Sequence, residues 1–427
     1  MKVLHLSTDD FSGGASRAAY RLHTALLQCG VDSSMRVLVH QTANAKVIAG
    51  KGPRSYITKI KDKLAQKGRA VYRRNFRGSS PIMHSFGDVS AGIVNEVNAS
   101  DADVVHLHWI ANLLSIRDIG KITKPIVWTL HDMWAFCGGE HVVFDFDVSA
   151  RFRTGYRSDN RPIGESGPDL NRLSWESKRR EWSNQRFEFI APGKWMADCV
   201  AASALLKHHP THTIPNPIEL NHLWQPIDKS FARAVLGLDQ QKKYVLSGSA
   251  GGMAHLKGED LLNESLTKLS AHSSDAFELL IFGQSQPLAK IETPFKTRWL
   301  GRVNDDHVMR LIYSASDVMA VPSRIDNLPN TAIEAHACGV PVVAFDVGGL
   351  SDIVDHLQSG WLAPAFDTDN IAHGIFWVLQ DSARWAQLSS HARKIAEQRF
   401  APKLITEKHL EIYQKAIAKQ LTTSQDV

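Results

Sequence analysis

The stretch from Val318 to Leu350 constrains this chain more than any other, because it reads strand, loop, short helix, strand. The apolar run Val318-Met319-Ala320-Val321 stops at Pro322, and the β-branched run Val340 to Phe345 is bounded by Gly339 and Gly348. Such short, Pro/Gly-bounded runs suit buried strands of a parallel sheet, and Thr331 to Cys338 has helical composition. Open α/β sheets bind ligands in the crevice beyond the carboxyl ends of their strands. Asp326 falls where the first strand ends and Glu334 about one helical turn in, so both acids are predicted to face that crevice. Pro329-Asn330-Thr331 offers backbone N–H groups at a helix N-terminus, which attracts anions and phosphate in particular. A carboxylate that accepts sugar hydroxyls, beside a phosphate-binding helix end, suits a nucleotide sugar. The same residue types also serve as an exposed helix acid and a turn former.

A chain of 427 residues is too long for one core of ordinary size, so two domains are expected. Hydrophobic residues at 43% and charged ones at 22% are globular values and argue against wholesale disorder. The N-terminal apolar run meets Asp9 and Asp10 too soon for a signal peptide, and no stretch approaches the ~18 apolar residues of a membrane span. Cys29, Cys137, Cys199 and Cys338 are dispersed, without C-x-x-C or a histidine at ligand spacing, which predicts reduced thiols in a cytoplasmic protein and no zinc.

Taken in order, Lys2 to Ser7 is a strand, and Gly13-Gly14 with Arg17 lies in the loop that feeds a helix running to Gly30. Paired glycines let the backbone approach a ligand and are also plain turn chemistry. There is no G-x-G-x-x-G, so a dinucleotide fingerprint is not supported. Val31 to Val39 is a second strand. From Lys51 to Arg77 ten basic residues face a single acid, Asp62, and Ile57, Ile60, Leu64 and Val71 fall at helical spacing. This basic amphipathic segment suits a solvated face, an anionic membrane surface or nucleic acid. Two further strands deliver His106, His108 and His131 at their carboxyl ends. Histidines in that position also serve structure, hydrogen-bonding to loops. Residues 137–182 read as an irregular insertion, whose Phe144, Phe146, Phe152 and Tyr156 suit either an acceptor lid or a packed loop. Pro215, Pro217 and Pro226 stiffen a connection near residue 220, after which a second strand and helix series begins. Gly248 to Gly258 is a second glycine-rich loop without the G-x-x-x-x-G-K-[ST] pattern, which argues against ATP hydrolysis.

The wording D-N-L-P-N-T-A-I-E-A-H-A-C-G-V-P-V-V-A-F resembles the E-x7-E signature of retaining GT-B glycosyltransferases of family 4, with Asp326 for the first Glu and Glu334 for the second. The resemblance implies an α/β GT-B fold: two Rossmann-like doubly wound domains, 1–220 and 221–402, facing a central cleft, with a helix from 403 returning to the first. It implies sugar transfer from a nucleoside-diphosphate sugar to a hydroxyl of a lipid-linked or polysaccharide acceptor, with retention and without metal or other cofactor. Catalytic roles would fall to His131, Asp326, Glu334 and Lys257. Donor contacts would come from Gly13, Gly14, Arg17, Ser249, Gly301, Arg302, Asn327, Leu328, Pro329 and Asn330. Lys257-Gly258 matches the family's diphosphate-holding loop, but Ser249 stands where the family has arginine, so charge compensation would fall on Lys257, helix ends, Arg17 or Arg324. A GT-B epimerase, or a weakened GT-B protein acting as a binding partner in polysaccharide assembly, are the alternatives. The basic segment would then meet the inner face of a membrane, and no nucleic-acid partner is expected.

Overall fold

The computed structural model describes residues 1–50, 52, 72–78, 82–144, 148–248, 255–270, 277–285 and 294–425. Packing divides the chain into two units, one holding Met1–Ile214 with Thr406–Val427 and the other Pro215–Ile405. The proline-rich connection expected near 220 therefore lies inside the second unit, where the backbone N–H of Ile218 donates to Phe400 O.

In the first unit the strands are β1 (Lys2–Asp9), β2 (Asp32–Val39), β3 (Val47–Ala49), β4 (Val104–Leu107), β5 (Ile126–Thr129), β6 (Phe187–Ala191) and β7 (Thr211–Thr213). They form one parallel sheet of order β3-β2-β1-β4-β5-β6-β7. The second unit repeats the plan with β8 (Tyr244–Gly248), β9 (Glu278–Phe282), β10 (Thr297–Gly301), β11 (Val318–Val321), β12 (Val342–Phe345) and β13 (Gly360–Ala363), ordered β10-β9-β8-β11-β12-β13. Each sheet is doubly wound. The order reverses between β1 and β4 and again between β8 and β11, which places a switch-point crevice at each of those positions.

Helices cover both faces of such sheets, so central strands are apolar throughout rather than alternating. Every residue of β11 and β12 is buried, and their register pairs Met319 with Val342 and Val321 with Ala344. Burial of each large aliphatic side chain in these runs contributes about 1.5–3 kcal/mol, which makes the strand pair a rigid support for the loop that follows β11. β4 is also wholly buried, yet carries His106 in its middle. From Thr406 on, the C-terminal helix Pro402–Gln425 belongs to the first unit, where Tyr413 Oη lies 2.7 Å from His106 Nδ1 and Lys419 pairs with Glu188 at 3.0 Å.

Residues 137–182 are more ordered than their composition suggests. They contain the helices Arg151–Thr154 and Leu170–Glu181, the latter capped by Asp169, whose carboxylate accepts from Arg172 N. Lys178 is fully buried and donates to the carbonyls of Trp134, Cys137 and Gly138. A sequence window does not show three carbonyls some forty residues upstream converging on one ammonium, and so the segment reads as irregular. Phe152 and Tyr156 are core residues, which settles them as packing rather than lid. Phe146, Asp145 and Asp147 lie outside the described residues, as do Lys51, residues 53–71 of the basic segment and Ser249. Beyond that gap Arg73 pairs with Asp88. All four cysteines are free thiols, and only Cys29 is exposed. Among the described residues no helix is long and apolar enough to cross a membrane.

Candidate active site

At the switch point of the second unit, β11 ends at Val321, and Pro322, Ser323 and Asp326 follow over its carboxyl edge. With Gly248, Lys257, Glu259, Gly283, Gln284 and Thr331 they line an open cavity. Asp326 and Lys257 meet there: Lys257 Nζ lies 2.5 Å from Asp326 Oδ2, and Ser323 Oγ reaches the same oxygen at 3.4 Å. The pair is partly exposed, so solvent holds its net contribution to stability to about 1 kcal/mol or less. Its partners are accordingly easy to exchange for a ligand.

The loop is positioned by backbone contact. Gly258 has φ +69°, and a Cβ there would lie 1.8 Å from Pro322 O. Gly348 and Gly349, whose sequence context suggests only a structural turn, abut the functional loop itself: a Cβ on either would sit within 2 Å of the carbonyl of Asp326 or Asn327, and Gly349 N donates to Asp326 O at 2.9 Å. Glycine is required here because any side chain would push Asp326 out of place.

Glu334 lies one turn into the helix Asn330–Ala337, whose first residue is preceded by Pro329 with no side-chain cap. Its side chain is buried, 6% exposed, and accepts from the fully buried Tyr313 hydroxyl at 3.0 Å. Glu334 is thus fixed behind the cavity wall rather than lining it, whereas Thr331 from the same helix does line it. Leu328 and Pro329 are buried, Asn327 and Asn330 half-buried. Gly301 ends β10 with φ +66° and accepts from Gly283 N at 2.8 Å, while Arg302 is exposed and reaches Asn304 at 3.2 Å. Arg324 does not offer the spare cation expected of it. Its two terminal amino groups hold both oxygens of Asp260 at 2.7 and 2.6 Å. Such a bidentate pair already compensates the charge.

In the first unit Gly13 and Gly14 begin the helix Gly13–Gln28 and are exposed, Gly13 with φ +84° and open space around it. Asp9 Oδ1 gathers the N–H groups of Phe11 and Ser12 at 2.7 and 2.6 Å, and the Arg17 guanidinium stacks 4.5 Å over the Phe11 ring. His131 follows β5 and, with His108, Trp109, Asp132 and His141, lines a small cavity. Burial lowers the His131 imidazole to about 4 against the opposing pull of Asp132, so it is neutral at pH 7. For Asp132, burial pushes the carboxyl up, but the charge and hydrogen bond of His141 and the Trp134 N–H outweigh it and hold it below its ordinary value. Asp132 Oδ2 lies 2.6 Å from His141 Nδ1 and accepts from Trp109 Nε1 at 2.9 Å, and His141 Nε2 meets Ser85 Oγ at 2.8 Å. Ser85 is not among the residues lining that cavity, so the file orients Asp132 rather than delivering a nucleophile.

The residues that sequence reasoning missed are Tyr313, Asp260, Ser85, His141 and the glycine pair 348–349. Each acts on a site residue from elsewhere in the chain, and only the doubled glycine carried a local signal.

Two family models match the chain: Glycosyltransferase Family 4 over residues 12–222 and Glycosyl transferases group 1 over residues 228–396. A D-inositol 3-phosphate glycosyltransferase of Saccharomonospora viridis is 32% identical over 219 residues, 48% of this chain and 50% of that protein. The lipopolysaccharide core biosynthesis mannosyltransferase LpsB of Rhizobium meliloti is 29% identical over 202 residues, 45% of this chain and 57% of that protein. The chain spans about half the length of the curated relatives it matches. Among solved structures, sucrose-phosphate synthase of Thermosynechococcus elongatus superposes with a TM-score of 0.62 at 18% identity, covering 98% of this chain and all of that one. HepE of Anabaena in complex with UDP and glucose gives 0.62 at 17%, covering 97% and 99%.

Proposed function

The chain belongs to glycosyltransferase family 4, and on that footing we propose that it moves a sugar from a nucleoside-diphosphate sugar to an acceptor hydroxyl with retained configuration. The observation that carries this reading is the Lys257–Asp326 pair in the switch-point cavity, beside an uncapped helix N-terminus and backed by Glu334. Transfer needs the departing diphosphate neutralised and the sugar held as positive charge develops at its anomeric carbon. On donor binding Lys257 would exchange Asp326 for the diphosphate, and Asp326 would turn to the sugar hydroxyls. The helix N-terminus adds partial positive charge, which Ser249, standing in the sequence for the family's arginine, does not supply. The resemblance assigns Glu334, held by Tyr313, to the ribose. The resemblance assigns neutral His131 to the sugar's far side. On this reading the phosphate itself takes the acceptor proton, and no protein nucleophile is needed.

The donor is found by thermal shift with UDP-, GDP- and ADP-sugars, beginning with uridine because the HepE complex holds UDP. Loss of a hydrogen bond to a charged group costs about 1.5–3 kcal/mol, so Glu334→Gln and Asp326→Asn are expected to lower kcat/KM by about 10- to 100-fold with the fold intact. Asp326→Glu should be milder than Asp326→Asn. Normal kcat and donor KM in Glu334→Gln would remove this stretch from the donor site. Interconversion of a free nucleotide sugar without transfer would favour the epimerase, and binding without turnover the weakened partner protein. Turnover is expected to survive EDTA, since Lys257 and helix ends supply the positive charge; loss restored by Mn²⁺ or Mg²⁺ would refute this.

A lipid-linked acceptor would bring the protein to the inner face of a membrane through the basic segment. Lysines near an anionic surface contribute about 1 kcal/mol each. Replacing Lys59, Lys61, Lys63 and Lys67 with glutamine should weaken sedimentation with anionic vesicles at low salt. Equal sedimentation would leave a soluble saccharide acceptor as the simpler account.

A further inference from the structure

Behind His131 the first unit holds two further imidazoles, His5 and His108, that form a file with it and that the proposed chemistry does not use. His5 in β1 and His108 just past β4 are buried, and their rings stack with centroids 5.2 Å apart, while His108 and His131 stack at 5.3 Å. His5 Nδ1 lies 2.9 Å from His108 Nε2, and His108 Nδ1 lies 3.0 Å from His131 Nε2. Burial lowers all three well below the ordinary imidazole value, and the neighbouring rings oppose charge on His5 and His108 as well.

A neutral imidazole has one N–H and one lone pair. Each bond between two such rings uses one of each, so all three rings must point their protons the same way. Two senses are possible. If His131 donates inward from Nε2, then His108 donates to His5 and His5 carries its proton on Nε2. If His5 donates outward from Nδ1, then His108 donates to His131 and His131 carries its proton on Nδ1. The His5 end of the file decides between them. His5 Nε2 is buried with no protein hydrogen-bond partner. Among buried backbone groups an orphaned N–H is rarer than an under-satisfied acceptor, and by the same preference the second sense is favoured.

We propose that His5 and His108 are positioning residues that fix the tautomer of His131, holding it as the Nδ1–H form. The catalytic value of that form rests on the reading that His131 contacts the donor sugar; the tautomer itself does not. The rival use of these rings is a metal site, because ligand atoms of His5, His106 and His108 lie within 4.8 Å of one another. His106 has both nitrogens engaged, by Tyr413 Oη at 2.7 Å and Thr129 Oγ1 at 2.8 Å, and His108 has both in the file. A cation would have to break several of these bonds.

The test is a long-range ¹H–¹⁵N correlation on the full chain labelled with ¹⁵N-histidine at pH 7, with His131 assigned by its loss in His131→Gln. The expected result is a protonated Nδ1 on His131 in the wild type and in His5→Asn, whose amide can still donate to His108, and a mixed or reversed pattern in His5→Leu. Release of nucleoside diphosphate from UDP-, GDP- or ADP-glucose should fall several-fold in kcat in His5→Leu and recover in His5→Asn, with donor affinity unchanged. A protonated Nε2 on wild-type His131, an unchanged pattern in His5→Leu, or one metal ion per purified chain that His5→Leu loses would each overturn the file. If the tautomer shifts as expected while kcat does not, the file stands and the assignment of His131 to the sugar falls. The wild-type spectrum alone is decisive even where His5→Leu fails to fold.

Discussion

The two switch points sit on the same strand order, yet they are built from opposite electrostatics. Between β8 and β11 the working groups are charged: Lys257 against Asp326, and Arg324 against Asp260. Beyond β4 and β5 they are imidazoles kept neutral by burial, with the carboxylate of Asp132 beside them held anionic. The backbone plan supplies a crevice and a helix end in both cases, and the side chains alone decide whether the crevice suits an anionic leaving group or a neutral hydrogen-bonding one. A charged site can remain half-open to water because its charges are paired. A neutral histidine site must be dry, because access to water would let the rings protonate.

The largest expected difference between the units is their response to acid. His5, His23, His106, His108, His131 and His209 of the first unit are all lowered by burial, His23 and His131 to about 4, whereas His336, at about 3, is the one such histidine among the described residues of the second. Below an unfolded value near 6.5 the unfolded chain binds more protons than the native one, so stability falls as pH drops from about 6.5 towards 4, by up to ~1.4 kcal/mol per pH unit per group. Hydrogen exchange between pH 7 and 4.5 should therefore show β1, β4 and β5 losing protection before β8, β11 and β12, by several kcal/mol. Simultaneous loss, or earlier loss in the second unit, would break the comparison.

Next in size is the contrast of two glycines. Gly258→Ala must both hold a left-handed conformation and displace Pro322, and is expected to cost about 2–4 kcal/mol. Gly13→Ala meets open space, so only backbone strain of about 1–2 kcal/mol remains. Denaturant unfolding of the two variants reads the difference directly. Equal costs would mean that the close approach at Pro322 relaxes without penalty.

Tyr313→Phe removes one donor from buried Glu334 and should lower kcat/KM by about 10-fold or more with donor KM rising, because a hydrogen bond to a charged group is worth about 1.5–3 kcal/mol. Unchanged kinetics would make the Tyr313 contact a packing feature only. The smallest effect is expected from Arg324→Lys, which exchanges a bidentate pair with exposed Asp260 for a single contact. A stability change under about 1 kcal/mol is expected by thermal melt. A tenfold loss of turnover in that variant would return Arg324 to the diphosphate.

Much of this architecture was legible from local pattern alone. Apolar runs at Val318–Val321 and Val342–Phe345 became buried parallel strands, because a strand covered on both faces has no reason to alternate. Asp326 was legible at the cavity because loop and helix start are contiguous in the chain, whereas Glu334, expected at the crevice, is held behind its wall by Tyr313. The helix Leu170–Glu181 was not: its polar sequence is held by buried Lys178 and by Asp169, contacts that periodicity does not register.

What the sequence by itself determined is therefore the set of strands and loops and the acid at the end of β11, since these depend on short-range burial and turn chemistry. Tertiary structure decided who touches whom across the sheets. Lys257 reaches Asp326 across 69 residues, His5 reaches His108 across 103, and Tyr413 reaches His106 across 307. Parallel register sets the first two, because neighbouring strands end at the same edge however far apart they lie in the chain. The third depends on where the last helix packs. Charge state followed from the same cause: an imidazole at a strand end reads alike in any sequence, and only the depth to which its neighbours bury it settles whether it is neutral.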